Sequence, residues 1–352
     1  MTNQKIKQVF SLIKQHDADS LISISPINRS WLIRNSVADF ALILYKNNKA
    51  HVLVDERNIA SIKKNNLELS THLYKDIDSW FNFCKSQDLH KTLFETNGVT
   101  HEEYLKFLKP LSTHLIPIDA NDLRIIKTAD ELKKLQKSSD IICEAIEHLK
   151  KWIKIGASEK EAADELRRFV IAKGATGLSF PTIVSFGENS ADIHGAPSDR
   201  KLKKNEIILV DAGCVYNGYC SDITRVWCIG KLPPVAQKMY DVVLKSNQEG
   251  IKHIKANVHG IKIDTICRNV IKKQWNGYDI PHGVGHGVGI LIHENPCNNK
   301  IYDKPLPANS LVTIEPGIYD KKIGGIRIED LVIVTKTGCK VLTHKSPKTI
   351  KV

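Results

Sequence analysis

Five residues with metal-ligating side chains stand in this chain in the order Asp211, Asp222, His286, Glu315 and Glu329, each within a glycine-punctuated strand or turn pattern. The first two lie in I-I-L-V-D-A-G-C-V-Y-N-G-Y-C-S-D-I-T-R, where Asn217-Gly218 separates two apolar, β-branched runs and reads as a two-residue hairpin turn. Tyr216 then pairs with Tyr219, Gly213 faces Asp222, and Asp211 shares a face with Asp222 at a diagonal separation of roughly 5–8 Å. In T-I-E-P-G-I-Y-D-K-K-I-G-G-I-R-I-E-D, Glu315 and Glu329 flank a second turn. Between the hairpins, H-G-V-G-H-G-V-G and the following H-E supply His282, His286 and His293, with glycines that let backbone approach a ligand closely. Four carboxylates on paired strands repel one another without a counter-ion. With one imidazole they match the oxygen-rich, single-nitrogen shell that suits Mn²⁺, Co²⁺ or Fe²⁺, and Zn²⁺ is compatible. The pattern therefore predicts a two-metal hydrolase. No C-x-x-C occurs, which argues against a structural thiolate zinc site.

In the order V-D-A-G, S-D-I-T-R, G-H-G-V-G, I-E-P-G-I-Y and R-I-E-D, these segments resemble the superfamily that contains Xaa-Pro aminopeptidases (aminopeptidase P), prolidases and methionine aminopeptidases. The resemblance covers nearly the whole chain. It implies an α+β fold, a pita-bread catalytic domain preceded by a smaller α/β creatinase-like domain. It also implies that Asp211 chelates one metal, that Asp222 and Glu329 bridge both, and that His286 and Glu315 bind the second. A hydroxide shared by the two metals would attack a peptide bond between an N-terminal residue and a following proline. Glu315 is the candidate proton shuttle, taking a proton from the nucleophilic water and passing it to the leaving nitrogen. His194, in S-A-D-I-H-G-A-P, and His293 and His282 match positions that contact substrate or the tetrahedral intermediate, where each can donate a hydrogen bond to a developing oxyanion. Arg327 and Thr224 read as supports for the ligands or as strand-pairing residues.

Such chemistry needs elements to carry it. At 352 residues the chain is long enough for two domains. The pattern I-K-Q-V-F-S-L-I-K predicts an opening helix, and A-D-F-A-L-I-L-Y-K-N-N-K-A-H-V-L-V-D predicts two strands around Asn47-Asn48. Asp55 and Arg57, which follow, resemble the creatinase-like domain and read equally as a surface ion pair. A long amphipathic helix begins near Thr128, where Thr128 and Glu131 have capping-box spacing, and the domain boundary is placed just before it, giving residues 1–122 and 123–352. A second box, Ser158 and Glu161, opens another helix, and a third is expected from Val235 to Ala256.

The formal charge of +12 arises from scattered lysines, and the densest cluster, Arg200-Lys201-Leu202-Lys203-Lys204, reads as a solvated turn rather than a nucleic-acid site. Eight cysteines without regular spacing suggest a reducing compartment, and the N-terminus lacks a signal-peptide core. No apolar stretch approaches the roughly 18–20 residues that span a bilayer. The expectation is a cytoplasmic enzyme acting on peptides with proline at the second position, without nucleic-acid or membrane partners, and a homodimer by resemblance.

Alternatives differ in substrate or in class: an Xaa-Pro dipeptidase, a methionine aminopeptidase, or a pita-bread binding protein that has lost catalysis. All five ligand positions are retained here, which argues against the last. Some microbial prolidases carry an arginine four residues beyond the histidine that matches His293, where it holds the carboxylate of a dipeptide. Cys297 occupies that position in this chain. A neutral thiol cannot make the bidentate pair that arginine offers, so peptides of three residues or longer are the expected substrates.

Overall fold

In the computed structural model, which describes residues 2–33, 41–65 and 68–350, the chain divides into two compact units, Met1–Thr128 and Ala129–Val352. The division falls after Thr128, whereas the expected boundary lay between 122 and 123. The reason is a buried polar network that keeps the Ala120–Arg124 turn with the first unit. The Glu95 carboxylate, pushed above its usual range by burial, accepts from Ser23 Oγ at 2.7 Å, from the Ser25 N–H at 2.9 Å and from Asn28. Asn28 in turn accepts from Arg124 and donates to the Ala120 carbonyl at 3.0 Å.

The first unit is a six-stranded mixed sheet with strands in the order Ser70–Leu73, Lys49–Val54, Leu42–Lys46, Ser20–Ser23, Lys91–Glu95 and His114–Ile118. Its central strand Leu42–Lys46 is buried at every position, as a strand covered on both faces must be. The Asn47-Asn48 turn has φ 51° and 58°, the left-handed pair that closes a two-residue hairpin. Asp55 and Arg57 form an ion pair at 2.7 Å, and Asp55 also accepts from the Asn58 N–H. Ala38 to Phe40 of the predicted strand pair lie outside the described residues.

The second unit is built from short antiparallel strands and four long helices, Ala129–Trp152, Glu159–Ala172, Pro234–His253 and Gly260–Gln274. The Ser158–Glu161 capping box is formed, with both reciprocal hydrogen bonds in place. Strand Ile208–Ala212 lies between Ile183–Phe186 and Ile223–Trp227 and is covered on both sides. Ile208 and Val210 pack with Ile142, Leu166 and Trp227, while Leu209 packs with Val226, Met239 and Ile263. This alternation puts Asp211, Thr224 and Asp222 on the Leu209 face, so burying the strand aims its carboxylates in one direction.

The Gly260–Gln274 helix is not among the elements expected from the sequence, although Ile263, Cys267 and Ile271 recur at the spacing of one helix face and are fully buried. In the Arg200–Lys204 cluster, which leads into a turn at Lys204, Lys201 bridges to Ser158, Arg200 is paired to Glu206 at 2.7 Å and Lys201 to Glu161 at 3.2 Å. None of the eight cysteines is in a disulfide, and among the described residues no helix is long and apolar enough to cross a membrane.

Tyr216 pairs with Tyr219 as expected, and the same register returns at Ala212 with Ile223. Between these pairs the two backbones almost touch. A Cβ at Gly213 would lie 1.9 Å from the Ser221 carbonyl oxygen, whereas one at Gly218, φ +78°, would meet nothing. Gly213→Ala is therefore expected to cost about 2–4 kcal/mol through the clash, and Gly218→Ala only about 1 kcal/mol through its left-handed backbone. Denaturant midpoints followed by circular dichroism rank the two; a greater loss at Gly218 would refute the packing argument.

Candidate metal centre

The two carboxylate hairpins deliver their side chains by register. Ile314 pairs with Asp330 and Gly317 with Arg327, which sets Glu315 across from Glu329. His286 sits in the short strand Gly285–Gly287, laid flush against Thr313. A Cβ at Gly285 would be 1.9 Å from the Thr313 carbonyl, and the His286 N–H donates to Thr313 Oγ1 at 3.0 Å. The Glu315 N–H donates to the Val284 carbonyl at 2.9 Å, tying the histidine segment to the glutamate hairpin.

All five predicted ligands line one cavity of about 510 Å³, together with His194, His282, His293, Cys297 and Arg327. His286 Nε2 lies 3.5 Å from Asp222 Oδ2 and 3.4 Å from Glu315 Oε1. One ligand atom each from Asp222, His286 and Glu329 falls within 4.8 Å of the others. The His286 ring orientation suits coordination: Nδ1 faces the Gly287 carbonyl at 3.1 Å as a donor, which leaves the Nε2 lone pair toward the carboxylates.

The electrostatics are those of a site made for cations. Burial pushes Asp222 well above the usual carboxylate range, and Glu329, Asp211 and Glu315 push it further. Glu329 is raised likewise by burial and then by Glu315 and Asp211, and burial raises Glu315 against the opposing pull of His282 and Arg327. Burial also lowers His286, His282 and His293, keeping imidazole in its neutral, ligating form. Among the described residues, Asp211 Oδ1 and Glu329 Oε1 are buried with no hydrogen-bond donor. An unpartnered buried carboxylate oxygen costs several kcal/mol in a dry site, and a divalent cation removes that cost. The donor set of four carboxylates and one imidazole thus fits divalent metals, as expected from the sequence.

Thr224 and Arg327 both touch candidate ligands. Thr224 Oγ1 donates to Glu329 Oε2 at 2.8 Å, and Arg327 Nη2 donates to Asp211 Oδ2 at 2.6 Å. Tyr319, to which sequence reasoning gave no role, links this pair to His282: its hydroxyl accepts from Arg327 Nη1 at 2.9 Å and stands 2.9 Å from His282 Nε2. Room for the ring comes from glycines, since a Cβ at Gly317 or Gly325 would fall within 2.8 Å of it. Two glycines on neighbouring strands beside a tyrosine were the available signal.

His282 consequently differs from its expected role. Its Nδ1 is 2.7 Å from the Gly283 carbonyl and its Nε2 is held by Tyr319, so neither nitrogen is left to donate to an oxyanion. His293 stands edge-on to His286 at 4.3 Å between ring centroids, and His194 is presented on an exposed turn whose N–H is bound by Asp192 at 3.2 Å. The turn before His282 is itself held by the Gly260–Gln274 helix. Arg268 donates to the Ile280 and His282 carbonyls, and Asp264 accepts from the Val284 N–H at 3.3 Å.

A family model described as metallopeptidase family M24 matches residues 133–336. An uncharacterized peptidase of Staphylococcus epidermidis is 33% identical over 347 residues, 97% of this chain and 99% of the relative. A putative Xaa-Pro aminopeptidase of Mycoplasma genitalium is 32% identical, with 98% of each chain covered. Among solved structures, an Xaa-Pro dipeptidase from Bacillus anthracis superposes with a TM-score of 0.91 at 32% identity, over 100% of both chains.

The raised carboxyls carry a stability prediction. A carboxyl whose folded pKa exceeds its unfolded value stabilises the fold below the unfolded pKa of about 4, and that contribution is lost as pH rises through the folded value. Asp222, Glu315 and Glu329 all shift this way, so metal-free protein bears their repulsion near neutral pH. Mn²⁺ is expected to raise the unfolding temperature by roughly 5 °C or more at pH 8, and by clearly less at pH 5. Scanning calorimetry with and without chelator checks this; an equal increment at both pH values, or none, would count against a cation-held cluster.

Proposed function

Starting from a chain that belongs to metallopeptidase family M24, whose Xaa-Pro peptidases are its relatives, we propose that it is an Xaa-Pro aminopeptidase that prefers peptides of three residues or longer. Hydrolysis is supported by the convergence of Asp211, Asp222, His286, Glu315 and Glu329 on one cavity, with buried oxygens of Asp211 and Glu329 left for a cation. Those five residues would hold two divalent ions, with Mn²⁺ the best match to the donor chemistry, and such a pair supplies activated water at neutral pH and polarises a carbonyl.

The chain's own residues do the rest. Glu315, buried and raised, is suited to hold a proton on a carboxylate oxygen and give it to the proline nitrogen as the C–N bond breaks. That nitrogen has no N–H of its own, so it cannot leave without a proton from a positioned acid. His293 and His194 stand at the cavity to donate to the carbonyl oxygen as it gains charge. Phe180, Pro181, Ile193 and Ile292 give the cavity an apolar wall suited to a proline ring. Tyr319 and Arg327 keep Asp211 aligned, and His282 works through them.

One observation carries the length preference. Among the described residues that line the cavity, Arg327 is the one guanidinium or ammonium, and it is already bound to Asp211, Tyr319 and Thr224. Lys300, a cation that could have served instead, is paired with Asp279 at 2.8 Å. Cys297 also lines the cavity, and its side chain carries no positive charge. Among these residues the carboxylate of an Xaa-Pro dipeptide therefore meets no uncommitted cation, whereas a longer peptide presents an uncharged carbonyl in its place.

The comparison is kcat/KM for Ala-Pro against Ala-Pro-Ala, in wild type and in Cys297→Arg. Wild type is expected to favour the tripeptide about tenfold or more, and the variant to narrow that margin, since a charge-assisted pair is worth roughly 1.5–3 kcal/mol. A tenfold preference of wild type for the dipeptide would make the protein a prolidase. For His293→Ala the expected loss is about 10²–10³-fold in kcat with a smaller change in KM, as for one oxyanion donor. A pure KM effect would assign His293 to ground-state binding.

A further inference from the structure

Behind the ligands, on the face of strand Ile223–Trp227 opposite to Asp222 and Thr224, lies a buried polar network that reaches the end of the chain. Arg225, 2% exposed, uses all five of its N–H groups. It donates to the carbonyls of Thr224 at 3.0 Å, Glu329, Thr343 at 3.1 Å and Ser346 at 2.8 Å, and to Asp330 Oδ1 at 2.8 Å. The other Asp330 oxygen is taken by the ammonium of Lys348, which also donates to Asn247 Oδ1 at 3.2 Å. Asn247 is fully buried, and its amide nitrogen donates to the Ile314 carbonyl at 2.8 Å and the Ile328 carbonyl at 3.3 Å. Ile314 and Ile328 immediately precede Glu315 and Glu329.

Lys348 thus acts on both glutamates by two routes. Through Asp330 it holds the residue that follows Glu329. Through Asn247 it fixes which way the amide faces, so that the nitrogen rather than the oxygen meets the two carbonyls. The segment that carries Lys348 is itself tied down: Ser346 Oγ donates to Glu147 at 2.7 Å, Lys150 to the Pro347 carbonyl at 3.3 Å, and the Tyr240 hydroxyl to the Lys348 carbonyl at 2.9 Å.

We propose that Lys348 is a positioning residue for Glu315 and Glu329, so that the closing segment of the chain sets the affinity of the centre for divalent cations. This role presupposes the metal reading of the site given above. Glu315 and Glu329 repel each other, and a ligand pair of like charge keeps its geometry before the cation arrives only if the backbone beneath it is fixed. Simple charge arithmetic predicts the opposite sign. Removing an ammonium near a cation site strengthens cation binding if nothing else changes, so the direction of the effect separates positioning from field.

The experiment is calorimetric titration of Mn²⁺ into metal-stripped wild type, Lys348→Met, Lys348→Gln and Lys348→Arg, well below their unfolding temperatures. Lys348→Met and Lys348→Gln are expected to bind about 10–100-fold more weakly, and Lys348→Arg to regain most of the loss. The glutamine variant serves if the methionine one does not fold. A merely structural role would lower the unfolding temperature of the metal-free protein and leave the Mn²⁺ affinity unchanged. Equal or tighter binding by the variants beside normal binding by wild type overturns the role of Lys348 alone. Absence of Mn²⁺ binding in wild type overturns the metal reading and this proposal with it.

Discussion

The structure of the second unit turns on a repulsion. Asp211, in a strand, and Asp222, Glu315 and Glu329, in the short breaks between strands, are brought to one cavity, and burial together with their neighbours drives Asp222 and Glu329 well above the ordinary carboxylate range. Nothing in such a cluster favours folding by itself. It is tolerable because Arg327 and Thr224 partner one oxygen each on Asp211 and Glu329, and because the remaining oxygens face a space that a divalent ion can fill.

Holding like charges together demands rigid backbone, and much of the unit serves that need. Gly213 and Gly285 allow chains to meet where a Cβ would lie 1.9 Å from a carbonyl oxygen, which locks the hairpins and the histidine strand in place. The paired helices on either side of Ile208–Ala212 bury both faces of the strand, and the resulting alternation fixes the direction of Asp211. Arg268 then clamps the His282 carbonyl, Arg225 the carbonyl of Glu329, and Asn247 the carbonyl of Ile314, which precedes Glu315. Chemistry and fold meet in these clamps: each commits a buried polar group to a backbone atom near the site.

The hairpins are legible in the sequence because their side-chain period is two and Asn217-Gly218 sets the register, so that counting residues back from the turn is enough to place Asp211 and Asp222 on one face. The capping box at Ser158 is legible for a similar local reason. What is not legible depends on contacts distant in the chain. His282 is occupied by Tyr319, on a distant strand, and Lys348 reaches Asn247 across 101 residues. The extent of the first unit is hidden likewise, since Arg124 is anchored by Asn28, far from it in sequence. The Gly260–Gln274 helix does carry a signal in its apolar spacing, but a weaker one than the histidine-glycine motif that follows it.

A two-cation centre is tested most directly by the dependence of turnover on metal stoichiometry. Hydrolysis of Ala-Pro-Ala by chelator-stripped protein, measured as Mn²⁺ is added in sub-stoichiometric steps, is predicted to start at baseline and to reach its plateau near two equivalents per chain, as a pair of sites requires. Stripped protein that turns over at the full rate without added metal would contradict it.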